Sequence, residues 1–145
     1  MDVKQISVFV ENKPGRLAEL AKVIRKNGIN MRALSLAEAP EFGVVRIIVD
    51  DPYKLSEALK EEEYVFTVTA VLAAEVQDQA GSLVRILDIL AEQNINLEYT
   101  YTFLAHKKDA AYMILRVNNN DAAVKALSSQ GIRLLCQDDL NELLK

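Results

Sequence analysis

A short loop near the start of the chain has the residue types that can bind a small anion. It reads Asn12-Lys13-Pro14-Gly15-Arg16-Leu17 and stands between a strand-like segment and a run with helical periodicity. The first N–H groups of a helix have no partner inside the helix and carry partial positive charge. Gly15 has no Cβ, so a ligand can approach its backbone closely. The loop therefore predicts a site for a carboxylate or a similar small anion.

A second polar group follows the same predicted helix, in Gly28-Ile29-Asn30-Met31. Gly28 is expected to end the helix in a left-handed conformation. Asn30 then places a short amide side chain at the head of the next strand. This amide could bind a ligand, or it could cap a turn through hydrogen bonds of its own. The sequence leaves both interpretations open.

The whole stretch occurs twice. Pro14-Gly15-Arg16-Leu17 is repeated as Ala80-Gly81-Ser82-Leu83, and Asn27-Gly28-Ile29-Asn30 is repeated as Gln93-Asn94-Ile95-Asn96. The offset is 66 residues in both places (81 − 15 and 96 − 30). An internal repeat of this kind predicts two similar domains, residues 1–68 and 69–145, the second with a short C-terminal helix.

Each copy reads strand, helix, strand, strand, helix, strand. Apolar residues alternate in the first strand and recur at helical spacing from Leu17 to Ile24. This order predicts an α+β fold with two ferredoxin-like repeats, each an antiparallel sheet with its helices on one face. No glycine or proline separates Tyr64–Val68 from Val71–Val76. We therefore expect one long or bent strand or a tight join there, and a single sheet of eight strands.

Composition excludes several classes of function. The 145 residues carry a net charge of −4, which disfavours nucleic acid and anionic membranes as partners. One histidine, His106, and one cysteine, Cys136, make a zinc site improbable, and no cofactor is expected. A single cysteine suits a reducing compartment and the start lacks the apolar core of a signal peptide, so a cytoplasmic location is expected.

A small enzyme is the least favoured interpretation. No Ser–His–Asp or Cys–His set has a convincing spacing, and no acid–base pair accompanies the glycine loop. We therefore expect a protein that is not an enzyme.

The two segments around Gly15 and Asn30, Phe9 to Leu17 and Gly28 to Met31, resemble the ACT domain, a small regulatory module of many amino-acid-metabolism enzymes. The second copy resembles it more loosely. The resemblance implies that a free amino acid binds in the seam between paired domains. It also implies the binding residues, which are Asn12, Gly15, Arg16, Leu17 and Asn30 in the first copy and Asp78, Gly81, Ser82, Leu83 and Asn96 in the second.

The identity of the amino acid stays open. Asn12, Gly15 and Asn30 match positions of the serine-binding ACT domain of phosphoglycerate dehydrogenase, but Val10 stands where that site has a histidine. In the second copy Asp78 takes the place of Asn12. A carboxylate there would repel a ligand carboxylate, although it could pair with a ligand ammonium, and the second site is expected to be weaker.

The sequence thus predicts a stand-alone tandem ACT protein that senses an amino acid and regulates amino-acid metabolism. It is expected to form a homodimer through an open sheet face bearing Phe9, Val44 and Ile48, with Arg46 near the contact, and to act on a partner enzyme. The alternative is a dimeric interaction module that has no ligand and acts on a partner enzyme or transporter.

Overall fold

The computed structural model describes residues 2–77, 79–104 and 110–143. Asp78 lies outside the described residues, and so does the polar run His106-Lys107-Lys108-Asp109, for which the sequence predicts a hairpin loop. The chain divides into two compact units. The first unit is Lys4–Thr69, and the second takes the chain from Ala70 onward together with the short segment before Lys4.

The first unit has the predicted order of elements. Its two connecting helices begin where the sequence supplies suitable caps; Asp51, for example, accepts a hydrogen bond from the Lys54 N–H at 3.0 Å. The elements are β1 (Val3–Glu11), α1 (Arg16–Lys26), β2 (Met31–Glu38), β3 (Phe42–Val49), α2 (Pro52–Glu61) and the start of β4 (Val65–Gln77).

The second unit repeats this order with a much shorter last strand. Its elements are the remainder of β4, α3 (Ser82–Glu92), β5 (Leu97–Leu104), β6 (Ala110–Val117), α4 (Asn120–Ser129), β7 (Leu134–Leu135) and a terminal α5 (Gln137–Leu143).

The described residues form seven strands in the order β2-β3-β1-β4-β6-β5, with β7 paired to β4. The predicted α+β fold with two βαββαβ repeats is confirmed, but the predicted count of eight strands is too high by one. The fourth strand of the first copy and the first strand of the second are one continuous strand, β4. With no glycine or proline at the join, the backbone stays extended through it.

Both helices of the first unit pack on one face of their strands. The core joins alternate residues of β1 and β3 to the apolar stripes of α1 and α2, and its fully buried members include Ile6, Val8, Val45, Ile47, Val49, Leu55 and Leu59. The second unit has the same arrangement, in which Ile86 and Leu90 of α3 and Leu127 of α4 pack against Leu72 and Leu115. Burial of these side chains stabilises the packing of the helices against the strands.

The prediction of an open sheet face is wrong for one of its three residues. Ile48 is completely buried, while Phe9 is exposed and Val44 is half-buried. Since Ile48 is shielded within the chain, these residues do not form a continuous exposed apolar surface. The homodimer through this face, with Arg46 near the contact, therefore loses the patch that motivated it.

Candidate functional site

The loop between β1 and α1 is built around a glycine in the left-handed region. Gly15 has φ +84° and is the N-cap residue of α1, and Gly81 has φ +89° at the same position before α3. Residues with a side chain rarely adopt this conformation. An ideal Cβ on Gly15 would meet no atom within 4 Å, so the space beside the helix start is open. Glycine is needed here for the backbone conformation rather than for room.

Two backbone donors at the start of α1 are available to a ligand. The Arg16 N–H donates to the Lys13 carbonyl at 3.3 Å. The N–H groups of Leu17 and Ala18 have no acceptor among the described residues. The resemblance predicts the N–H groups of Gly15, Arg16 and Leu17 as donors to a ligand carboxylate; of these, Gly15 and Leu17 also lack an acceptor among the described residues, and the neighbouring Ala18 N–H joins them. Two adjacent helix N–H groups suit one carboxylate.

The charged side chains around the loop neutralise one another. Lys13 lies 2.9 Å and Arg16 3.8 Å from the Glu11 carboxylate, and Arg16 also lies 3.2 Å from Glu19. The hydrogen bond from Lys13, together with the positive charges of Lys13 and Arg16, lowers the pKa of Glu11. Glu11 is therefore ionised at neutral pH, and the loop offers a ligand backbone dipoles more than free side-chain charge.

The Asn12 side chain joins the Gly15 loop to the turn between β2 and β3. Its side-chain Nδ2 donates to the Ala39 carbonyl at 3.5 Å, and the side chain is exposed. The amide oxygen of Asn12 thus lies at the surface beside the helix start, where it can accept a hydrogen bond from a ligand ammonium.

Asn30 lies at the other end of α1 and holds two strands together. Its backbone N–H and its Nδ2 each donate to a carboxylate oxygen of Asp50 at 3.1 Å, and the Asp50 N–H donates to the Asn30 carbonyl at 3.1 Å. α1 has 11 residues and is therefore about 16 Å long. One amino acid cannot reach both Asn12 and Asn30 of the same unit, so the structure does not bring these two predicted residues together.

The start of α3 in the second unit contains the other predicted residues. Gly81 caps the helix, and Ser82 and Leu83 are its first residues; the Ser82 N–H donates to the Gln79 carbonyl at 3.3 Å. Asn96 and Asn118 repeat the pairing of Asn30 with Asp50, and we call each pair a strand clamp. The Asn96 N–H donates to Asn118 Oδ1 at 3.0 Å, and the Asn118 N–H donates to the Asn96 carbonyl at 3.2 Å. Asp78 lies outside the described residues.

The hydrogen bonds between Asn30 and Asp50 lead to a testable prediction about stability. Asn30→Ala should lower the free energy of unfolding by about 1 kcal/mol, because it removes the hydrogen bond from Nδ2 to Asp50. Asp50→Ala should lower it by more, because it also removes the acceptor of the Asn30 backbone N–H. The double variant should lose no more than Asp50→Ala alone, which urea denaturation of all four proteins would show. Additive losses would mean that the two residues stabilise the unit independently.

Beside the Gly15 loop lies an apolar groove that sequence analysis missed. We call it the α1–β2 groove; its volume is about 360 Å³, and it is lined by Leu17, Ala18, Leu20, Ala21, Ile24, Met31, Leu34 and Ile47. Leu34, on the edge strand β2, is 43% exposed. Leu17 belongs both to the groove and to the loop. The apolar character of β2 was visible in the sequence, but its position at the sheet edge was not.

Known proteins resemble the chain over nearly its full length. A family model described as an ACT domain pair matches residues 1–144. The chain belongs to this family. The crystal structure of protein BT0572 from Bacteroides thetaiotaomicron is similar to this ACT domain pair at 36% sequence identity and a TM-score of 0.92, over 99% of this chain and 98% of that one. No protein of curated function matches the sequence.

More distant structures share the fold. The ligand-free regulatory subunit of aspartate kinase from Thermus thermophilus has 16% identity and a TM-score of 0.62 over 90% of this chain and 94% of that one. The regulatory subunit from Thermus flavus has 12% identity and a TM-score of 0.63 over 89% and 92%. At these identities the likeness concerns the arrangement of strands and helices.

Two negative findings apply to the residues that the structure describes. The described residues contain no group of three or more histidine, cysteine, aspartate or glutamate side chains placed to hold a metal ion. Within the same residues, no helix has both the length and the apolar composition needed to cross a bilayer.

Proposed function

We propose that this ACT domain pair is a non-catalytic regulatory protein that binds a free amino acid at the Gly15 loop. The observation that carries the proposal is the left-handed N-cap that leaves the Leu17 and Ala18 N–H groups without an acceptor among the described residues. These donors receive the ligand carboxylate, and the exposed amide oxygen of Asn12 accepts from its ammonium. Asn30 serves as a strand clamp.

A second copy of the chain completes the site. Among the described residues β2 is an edge strand, a position at which a strand of another chain can pair, and the α1–β2 groove beside it is almost wholly apolar. Leu17 lies at both the groove and the loop, so a partner copy seated on the groove forms the second wall of the ligand site. This homodimer at the β2 edge replaces the one predicted from the open sheet face that bears Phe9, Val44 and Ile48.

The regulated process belongs to amino-acid metabolism. Two proteins of this fold are regulatory subunits of aspartate kinase, which makes a partner enzyme of that kind the first to examine. The α1–β2 groove also favours one alternative, a dimeric interaction module without a ligand, because an apolar edge can serve assembly alone.

A thermal-shift screen of the twenty amino acids tests the proposal. A ligand that binds only the folded protein raises its melting temperature by mass action. At a free-ligand concentration of 100 Kd, the free energy of unfolding rises by about 2.7 kcal/mol. One or a few amino acids should raise the melting temperature, and sedimentation should give a dimer at micromolar concentration. A dimer that no amino acid stabilises would favour the interaction module.

A further inference from the structure

The second unit has an exposed apolar face on α3, its first helix. Leu83, Val84 and Leu87 are 45%, 56% and 37% exposed. Leu87 follows Leu83 by four positions and Val84 by three, a spacing that places all three side chains on one face of a helix. We call these three residues the α3 ridge. A contiguous group of exposed apolar side chains, unlike a single one, indicates a surface for another protein.

The α3 ridge and the α1–β2 groove occupy equivalent positions in the two repeats. At the offset of 66 residues, Ala18 of the groove corresponds to Val84 and Ala21 corresponds to Leu87 (84 − 18 and 87 − 21). The two small side chains of α1 leave a groove of about 360 Å³, whereas the larger side chains of α3 project into solvent. Helices pack when the projecting side chains of one enter the grooves of another. The two faces therefore fit each other in shape.

The charges beside the two faces are opposite in sign. Lys22 and Arg25 are exposed on α1, and each follows one of the two groove alanines by four residues. Asp88 is exposed on α3, follows Val84 by four residues and stands at the position equivalent to Lys22 (88 − 22 is again 66). None of these three side chains has an ion-pair partner among the described residues. Two α1 helices side by side would bring like charges together, whereas α1 beside the α3 of another copy brings opposite charges together.

We propose that the α3 ridge of a second copy occupies the α1–β2 groove. This inference rests on the homodimer of the proposed function and names the surface of the partner copy that enters the groove. In a dimer with two-fold symmetry each copy supplies one groove and one ridge, so the contact forms twice. Leu17 lies at both the groove and the Gly15 loop, so the second wall beside the loop comes from the second unit of the partner copy.

Sedimentation velocity of Val84→Glu tests the ridge. A carboxylate that is buried without a partner in the groove should raise the dimer Kd roughly a hundredfold or more. Val84 is the third residue of α3, where a negative charge suits the helix dipole, so the variant should fold, as circular dichroism would confirm. Val68→Glu is the matched control, because Val68 is 50% exposed on β4, belongs to neither surface and undergoes the same change. Val68→Glu should dimerise as the wild type does.

A mixture of Leu34→Glu and Val84→Glu distinguishes this contact from one between two identical surfaces. Leu34→Glu has a defective groove and an intact ridge, and Val84→Glu has the reverse, so a mixed pair retains one complete contact. Each variant alone should be monomeric at micromolar concentration. The mixture should form dimers that are weaker than those of the wild type, since one of the two contacts is lost. In a dimer made by two grooves, Val84→Glu would dimerise alone and mixing would restore nothing.

The outcomes separate this inference from the proposed homodimer at β2. Dimers that form in the mixture but in neither variant alone support the inference. It is overturned if Val84→Glu dimerises as tightly as the wild type, or if the mixture contains no more dimer than the separate variants. A dimeric Val84→Glu together with a monomeric Leu34→Glu would overturn this inference and leave the homodimer at β2 in place. A wild-type protein that is monomeric at micromolar concentration would overturn both.

Discussion

Gly15→Val is expected to weaken amino-acid binding at the loop between β1 and α1 by roughly a hundredfold or more. Valine is strained at φ +84°, and relief of that strain turns the backbone and the Leu17 and Ala18 N–H groups away from the ligand. Hydrogen bonds to a charged group contribute about 1.5–3 kcal/mol each, so loss of two weakens binding by about 3 kcal/mol or more, roughly a hundredfold. Titration calorimetry with the amino acid found in the screen measures this loss.

Gly28→Val is the matched control for this experiment. Gly28 follows α1 in the same unit, has φ +66°, and also has no atom within 4 Å of an ideal Cβ. Both variants should therefore lose similar stability through backbone strain, but only Gly15→Val should lose the ligand. Equal loss of binding in both would mean that the unit's stability, rather than the loop, governs binding. Wild-type affinity in Gly15→Val would make the loop a purely structural turn.

Local patterns in the sequence predicted most of the fold. The repeat at Gly15 and Gly81 has its physical basis in the two left-handed N-caps, which glycine alone adopts without strain. The alternation in β1 correctly predicted that Ile6, Val8 and Val10 are buried, but Gln5 and Ser7 on the other face of β1 are buried as well. These features depend on residues close together in the chain. The strand count was too high by one strand because β4 serves both copies.

Features that join distant residues were not predictable in the same way. Asn30 and Asp50 are 20 residues apart, and Glu75 and Arg133 are 58 apart. No local pattern reveals such pairs, since they depend on how strands are ordered and where each one ends. The burial of Ile48 has the same origin, because alternation assigns a residue to a face of the sheet but does not say what covers that face. Asn30 could therefore be interpreted from sequence as a ligand residue although its amide holds Asp50.

Leu34→Glu is expected to convert the proposed homodimer to monomer. Leu34 lies on the edge strand β2 and lines the α1–β2 groove, so the new carboxylate would be buried without a partner when a second copy covers the groove. Burying an unpaired charge costs several kcal/mol, and about 3 kcal/mol already raises the dimer Kd by more than a hundredfold. In the monomer the 43% exposed side chain projects toward water, so the fold should persist. Sedimentation velocity across micromolar concentrations measures the shift.

The same variant tests whether assembly and ligand binding are coupled. Leu34 supplies none of the proposed ligand hydrogen bonds, so a loss of amino-acid affinity in Leu34→Glu must arise from loss of the partner copy that forms the second wall. Tyr53→Glu is the control, because Tyr53 is 76% exposed on α2, does not line the groove, and gains the same charge. Tyr53→Glu should remain a dimer and retain affinity. A Leu34→Glu protein that stays dimeric would place the dimer contact elsewhere, and a monomeric variant with full affinity would confine the ligand site to one copy.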